Sequence, residues 1–188
     1  MASSPVAVCN LALSELADKP ITALTDTTER ARLCNQFYAD AVRHVLRQHH
    51  WRCATKRASL SRLATLPAFE FAYAYELPPD WIRTVKTSLD AGQLRWTQEG
   101  GTILTDEPSV FLKYVYFNEN VASWDAMLTT TVAAYLAHLI AGGLTEGVLR
   151  KKLMHDLYLL RLKEAKATDS QEGTADDLTC TVLIDCRT

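Results

Sequence analysis

The chain has 188 residues, of which 48% are hydrophobic and 22% are charged. This length suits one domain, and the apolar share excludes a chain that is disordered throughout. The formal net charge of −2 argues against a protein whose whole surface binds nucleic acid, although a local basic face is compatible with it.

The cysteines and the apolar segments indicate whether the protein is secreted or placed in a membrane. Five cysteines lie far apart and in no regular spacing, unlike the pattern of a disulfide-stabilised secreted domain, so we expect reduced thiols. The N-terminal segment lacks the basic start and uninterrupted apolar run of a signal peptide. The most apolar later segment, VAAYLAHLIAGGL, is too short to predict a membrane span. We therefore expect no membrane partner.

Apolar residues at helical spacing predict four helices, at about residues 6–16, 27–49, 124–142 and 146–168. The second has the clearest pattern. Asp26 and Glu29 resemble a capping box at its start, and its apolar stripe includes Cys34, Val42 and Val45.

The last two helices are predicted to form an antiparallel pair because their connection is short. Ser123 is the expected N-cap of the third helix, and Gly142-Gly143 is expected to end it. The fourth helix carries a predicted apolar seam of leucines, which comprises Leu149, Leu153, Leu157 and Leu160.

The middle third has the period of β-strands. Alternation in FAYAYELP and the branched and aromatic residues of VFLKYVYF predict strands. Gly100-Gly101 is the expected hairpin turn between two further short strands. The predicted fold class is therefore α+β: a bundle of about four helices (1–50 and 123–168), a small antiparallel β-sheet subdomain (51–122) and a flexible, extended C-terminal arm (169–188).

The histidines and cysteines do not form a recognisable catalytic or metal motif. His49, His50 and Cys53 are close in sequence, but paired CxxC or HExxH spacings are missing, and Cys34 is better explained as a core residue. No phosphate-binding glycine motif occurs either. We expect no metal, no cofactor and no enzymatic activity.

A basic stretch is more informative. From Ala41 to Phe69 the chain contains six Arg or Lys residues and no Asp or Glu. Such a run is often a solvated face, but it also fits phosphate contacts or a charged seam between subunits. The candidate interface cations are Arg47, Arg52, Lys56 and Arg57. Trp51, in the same stretch, is interpreted as a core anchor rather than a platform for stacking bases.

The C-terminal segment is the second candidate interface. The polar, acidic ATDSQEGTADD precedes the alternating apolar strip LTCTVLID. That strip fits β-augmentation of another chain, although a last strand folded back on its own domain or an unstructured end explains it equally well. Its candidate interface residues are Leu178, Cys180, Val182 and Ile184.

Several blocks in order resemble one protein family. NLALSELADKPITAL, TERARLCNQFYADAVRHVLRQHHW, FAYAYELPPDWIRTV and LTDEPSVFLKYV resemble the tail tubular protein A family, the head-to-tail adaptors of short-tailed bacteriophages. The resemblance covers about Asn10 to Lys166 and includes no catalytic motif. It implies a helical bundle with a small β-domain.

The resemblance also implies a structural virion protein, made in the host cytoplasm and placed at the portal–tail junction. Family members form a dodecameric ring that binds the portal protein and the tail tube or nozzle, and genomic DNA passes through the ring without sequence reading. Two alternatives stay open: a nucleic-acid-binding protein that uses the Arg43–Arg62 stretch, and a tail-associated enzyme that degrades the cell wall.

Overall fold

The computed structural model describes residues 4–144 and 148–172. Within these residues the fold has four α-helices and six β-strands, which confirms the α+β class. The helices are α1 (Pro5–Glu15), α2 (Glu29–Arg47), α3 (Ala126–Leu144) and α4 (Val148–Gln171). The strands are β1 (Thr55–Ser59), β2 (Tyr73–Glu76), β3 (Trp81–Thr87), β4 (Trp96–Glu99), β5 (Thr102–Thr105) and β6 (Phe111–Tyr116).

Helix α3 is the centre of the bundle. It packs against α1, α2 and α4, and its buried side chains include Leu128, Val132, Leu136 and Ile140, each 0% exposed. By length and composition α3 could cross a membrane, but 56% of an 18-residue apolar segment of it is buried by the rest of the chain. Core helices of globular proteins have the same length and composition, and the packing on three sides explains why this helix is apolar nearly all round.

The helix ends differ from the sequence predictions in detail. Thr28 caps α2, since its Oγ1 accepts a hydrogen bond from the N–H of Ala31 (3.4 Å). The predicted cap Asp26 instead accepts from the backbone N–H groups of Thr22 and Ala23 in the preceding turn. Helix α3 begins after Ser123, and it continues through Gly142-Gly143 to Leu144. Glycines in regular helical geometry do not terminate a helix that tertiary packing holds.

Trp51 anchors the corner between α2 and β1. Its side chain is 1% exposed, and its Nε1 donates a hydrogen bond to the carbonyl of Val45 (3.0 Å). The prediction that Trp51 is a core anchor is therefore confirmed. The short 3₁₀ turn Arg52–Ala54 follows it and leads the chain into β1.

The strands form two sheets rather than one. The inner sheet has the order β1-β6-β3 and the outer sheet the order β2-β5-β4, and all pairs are antiparallel. Val115 and Ile82 of the inner sheet belong to the core shared with the helices, whereas Leu112 and Tyr114 face the outer sheet. The inner sheet is thus a middle layer between the helices and the outer sheet.

Two sequence predictions lie at or beyond the described ends. Helix α4 continues to Gln171, three residues past its predicted end at 168. The apolar strip with Leu178, Cys180, Val182 and Ile184, predicted as an interface, lies outside the described residues.

Candidate functional site

The predicted cationic stretch does not form one open surface. The Arg52 guanidinium lies 3.4 Å from a Glu172 carboxylate oxygen, and the Lys56 ammonium lies 2.7 Å from that of Asp80. Arg47 donates to the backbone carbonyl of Ile82 (2.9 Å). Three of the four predicted interface cations therefore have partners within the chain, although exposed ion pairs of this kind contribute only about 0–1 kcal/mol to stability.

Other cations of the stretch lie over aromatic rings. The Arg43 guanidinium is 4.6 Å from the ring centre of Phe117, and that of Arg62 is 3.9 Å from Tyr73. Lys56 also lies 3.7 Å from the ring centre of Tyr116. Cation–π contacts of this geometry hold the side chains against the surface of the fold.

Arg57 differs from these residues. Its side chain makes no hydrogen bond or ion pair with the part of the chain that the structure describes. On β1 it is directly opposite Lys113 of β6, and Lys113 is directly opposite Lys86 of β3. The three cations form a row across the inner sheet, which we call the cationic row.

Within residues 4–144 and 148–172, the cationic row has no acidic neighbour that neutralises it. Neither Lys86 nor Lys113 forms an ion pair within residues 4–144 and 148–172. The carboxylate of Asp90 accepts instead from the backbone N–H of Thr87 (2.6 Å) and from Trp96 Nε1 (3.0 Å). Like charges directly opposite on a sheet oppose folding by about 0.2–1 kcal/mol per pair, so the row costs the folded chain some stability.

The cationic row borders a shallow cavity of about 270 Å³. The other lining residues are Thr87, Ser88, Leu112 and Phe111, whose side chain is 57% exposed. Phe111 lies two residues from Lys113 and thus on the same face of the strand. The cavity combines three cations, two hydroxyl-bearing residues and one exposed aromatic ring.

Positive charge extends from the row towards the end of α2. Burial, and then the charges of Arg83, His49 and Lys113, lower the pKa of His50. Arg83 lies on β3 opposite Val115, and its guanidinium donates to the carbonyl of Arg47 (3.3 Å). Sequence reasoning missed Lys86 and Lys113 because only the strand register brings them to Arg57.

The predicted apolar seam of α4 is wrong, and the error reveals a second surface. The residues of α4 that face the core are Met154, Tyr158, Leu162 and Ala165. The predicted seam residues Leu149, Leu153 and Leu160 are 81%, 60% and 55% exposed, and Leu157 is half-buried at the edge. At 100° per residue these four leucines share one helix face, which we call the leucine stripe.

The core-facing side of α4 meets a cluster of histidine and tyrosine rings. The His44 ring of α2 stacks on Tyr135 of α3 (4.1 Å between ring centres), and its Nε2 lies 3.1 Å from the Tyr158 hydroxyl of α4. Burial, and then the charge of His155, lower the pKa of His44. Burial also raises the pKa of Tyr158 to about 12. Contacts among the rings of His44, Tyr135 and Tyr158 thus connect α2, α3 and α4.

The histidines and cysteines of α2 and of the turn after it serve separate contacts. His49 pairs with Asp169 (3.0 Å between Nε2 and Oδ2), which fixes the end of α4 against the Trp51 corner. Cys34 is fully buried next to Cys9 of α1, and burial raises the pKa of the Cys53 thiol. Among the described residues, no group of three or more His, Cys, Asp or Glu side chains could hold a metal ion.

Comparisons with known proteins do not assign the chain to a family. No protein-family model matches the chain, and no curated protein matches it. The resemblance to the adaptor family therefore stays a prediction, and a functional proposal rests on the leucine stripe and the cationic row.

Proposed function

We propose that the protein is a head-to-tail adaptor of a short-tailed phage, which assembles into a ring at the portal–tail junction and binds the portal protein and the tail tube or nozzle. The observation that supports this best is the leucine stripe. Leu149, Leu153 and Leu160 are each more than half exposed, and burying a leucine is favourable by about 1.5–3 kcal/mol. A row of such side chains on the outside of a bundle is typical of a protein that binds another chain.

A ring explains why residues 4–144 and 148–172 of one copy leave this surface uncovered. Subunits of a ring make heterologous contacts, in which one patch meets a different patch on the neighbour. We propose that the leucine stripe is one of these patches. Arg57 and the C-terminal strip with Leu178, Cys180, Val182 and Ile184 are proposed as further contacts, whereas Arg47, Arg52 and Lys56 have roles within the chain as well.

Assembly of the purified protein with its portal tests the proposal. Electron microscopy and sedimentation velocity should show rings attached to the portal for the natural chain. The double variant Leu153→Glu/Leu160→Glu should lose them, because charges on the stripe oppose its burial. Leu159→Glu is the matched control, since Leu159 is 49% exposed on the same helix but on a different face.

Two outcomes would overturn the proposal. A natural chain that neither forms rings nor attaches to the portal would contradict the adaptor function. A double variant that assembles normally would show that the leucine stripe is not an assembly contact.

Deletion of residues 178–188 should weaken assembly and leave the monomer folded.

The second candidate function is nucleic-acid binding, and the cationic row favours it. The row is compatible with an adaptor whose ring surrounds DNA, and it is also compatible with a protein that binds nucleic acid without any ring. Binding by the isolated chain, with no assembly under any condition, would favour this alternative.

A further inference from the structure

We infer that the cationic row is a binding site for the phosphodiester backbone of nucleic acid. Arg57, Lys86 and Lys113 are the residues that carry it. The inference deepens the proposed function, on which it rests for the source of the nucleic acid. The binding itself belongs to a single folded chain, so it can be measured apart from ring formation.

The first argument is the missing countercharge. Three cations on adjacent strands repel one another, and the described residues offer no carboxylate to any of the three side chains. The neighbouring cations Arg52 and Lys56 do have such partners, Glu172 and Asp80. A bound polyanion would supply the negative charge that the described residues do not provide to this row.

The second argument is the spacing of the charges. Adjacent strands lie about 4.8 Å apart, so the row spans about 10 Å between its outer Cα atoms. Phosphates of one strand of duplex DNA follow one another every ~3.4 Å along the axis, and carboxylates one turn apart on an acidic helix every ~5.4 Å. The row's spacing of about 4.8 Å lies between the two, so it admits a nucleic-acid strand, and the choice of ligand rests on the chemistry of the cavity.

The third argument is the chemistry of the cavity. Arg57 offers a guanidinium fork that can bind a phosphate through two hydrogen bonds, and the lysines act as point charges on long stems. Among the described residues the lining has no Asn, Gln, Asp or Glu side chain, so the usual contacts to adenine and cytosine edges are not available there. We expect most of the binding free energy to come from phosphate contacts, with little dependence on sequence.

Phe111 provides a means of distinguishing single strands from duplexes. Its ring is 57% exposed beside Lys113, and an exposed ring next to cations can stack on an unpaired base. A duplex offers only its phosphates to the same surface. Both single strands and duplexes offer the phosphodiester backbone, so the experiment below measures binding to each of them separately.

The experiment measures binding of the full chain to a fluorescent oligonucleotide, single-stranded or duplex, by anisotropy over a range of salt concentrations. Three phosphate contacts predict a slope of log K against log salt of about −2.7 for the duplex and about −2.1 for the single strand. The triple variant Arg57→Gln/Lys86→Gln/Lys113→Gln should bind at least ~10-fold more weakly at low salt, with a slope near zero.

A second triple variant controls for the change in net charge. Arg150→Gln/Lys152→Gln/Lys163→Gln removes one arginine and two lysines from exposed positions of α4, and it should bind like the natural chain. Phe111→Ala should weaken binding of the single strand only. Circular dichroism would verify that both triple variants are folded.

The outcomes separate this inference from the ring proposal. No binding by the natural chain to either nucleic acid at low salt overturns it, and so does an equal loss in the two triple variants. If the natural chain binds no nucleic acid and the cationic-row variant fails to form rings on the portal, the row is a protein seam and the inference is wrong. Rings that form normally while nucleic-acid binding is lost would support it and leave the adaptor function intact.

Discussion

Lys113 of β6 and Arg57 of β1 lie directly opposite each other in the inner sheet, and neither side chain has an acidic partner among the residues described. Lys86 on the other neighbouring strand adds a third positive charge to the same row. Lys113 is therefore the central cation, with a like charge on both sides. Repulsion from both neighbours destabilises the sheet at this position, and a bound polyanion would relieve it.

We expect Lys113→Gln to stabilise the folded chain. The substitution removes two like-charge pairs, each of which costs about 0.2–1 kcal/mol at low salt. The free energy of unfolding in urea should therefore rise by about 0.5 kcal/mol, and the gain should shrink as added salt screens the charges. Lys163→Gln on the exposed side of α4 is the control and should change little. A loss of stability in Lys113→Gln would mean that this cation has a favourable partner.

The two apolar faces of α4 should differ in their contribution to stability. Met154→Ala removes a side chain that is 5% exposed in the helical core, so we expect a cost of about 2–5 kcal/mol. Leu153→Ala acts on a side chain that is 60% exposed, so its effect should stay within about 0.5 kcal/mol. Urea denaturation of the purified monomer measures both. Equal costs would show that the leucine stripe is covered within one copy.

The sequence could not decide which face of α4 is buried, and the predicted face was the exposed one. Leucines at helical spacing mark one apolar face, but Met154, Tyr158 and Leu162 mark a second on the other side. Periodicity locates apolar faces and does not say which of them is buried in the same chain. The α+β class and the positions of the four helices were nevertheless predictable, because amphipathic repeats and turn residues are local signals.

The cationic row was beyond prediction for a different reason. Strand β1 reads TKRAS, which has no apolar alternation, so its residues carry no recognisable strand signal. Arg57 stood out only as one of a run of cations. Its pairing with Lys113 and Lys86 depends on the register of strands that are distant in sequence, and register is set by packing of the whole sheet.

Adjacent glycines near the end of α3 should respond differently to alanine. A Cβ at Gly142 would have no atom nearer than the Lys151 Nζ at 3.9 Å, whereas a Cβ at Gly143 would lie 2.8 Å from Leu33 Cδ1. Gly142→Ala should therefore stabilise the chain by about 0.5–1 kcal/mol, through lower entropy of the unfolded state. Gly143→Ala should gain less or lose stability, because Leu33 is only 7% exposed and must move. Thermal unfolding of both variants tests this, and equal gains would contradict it.

Stability should fall as the pH drops through about 6.5, with His44 as a principal cause. Burial lowers the pKa of His44 below its ordinary value of 6.5, so below that pH the unfolded chain binds more protons than the folded one. Linkage then makes the free energy of unfolding rise with pH through this window and decline towards acid. Protonated His44 would face Tyr135, Tyr158 and the charge of His155.

The variant His44→Gln isolates this contribution. It removes the titrating ring and keeps a polar group near the Tyr158 hydroxyl, so the dependence of stability on pH should flatten. A residual slope of the same sign is expected from His50, whose pKa is also lowered. Urea denaturation at pH of about 7.5 and 5.5 measures the slope for both chains. An unchanged slope in His44→Gln would show that the ring cluster of the bundle does not set the acid limit of the fold.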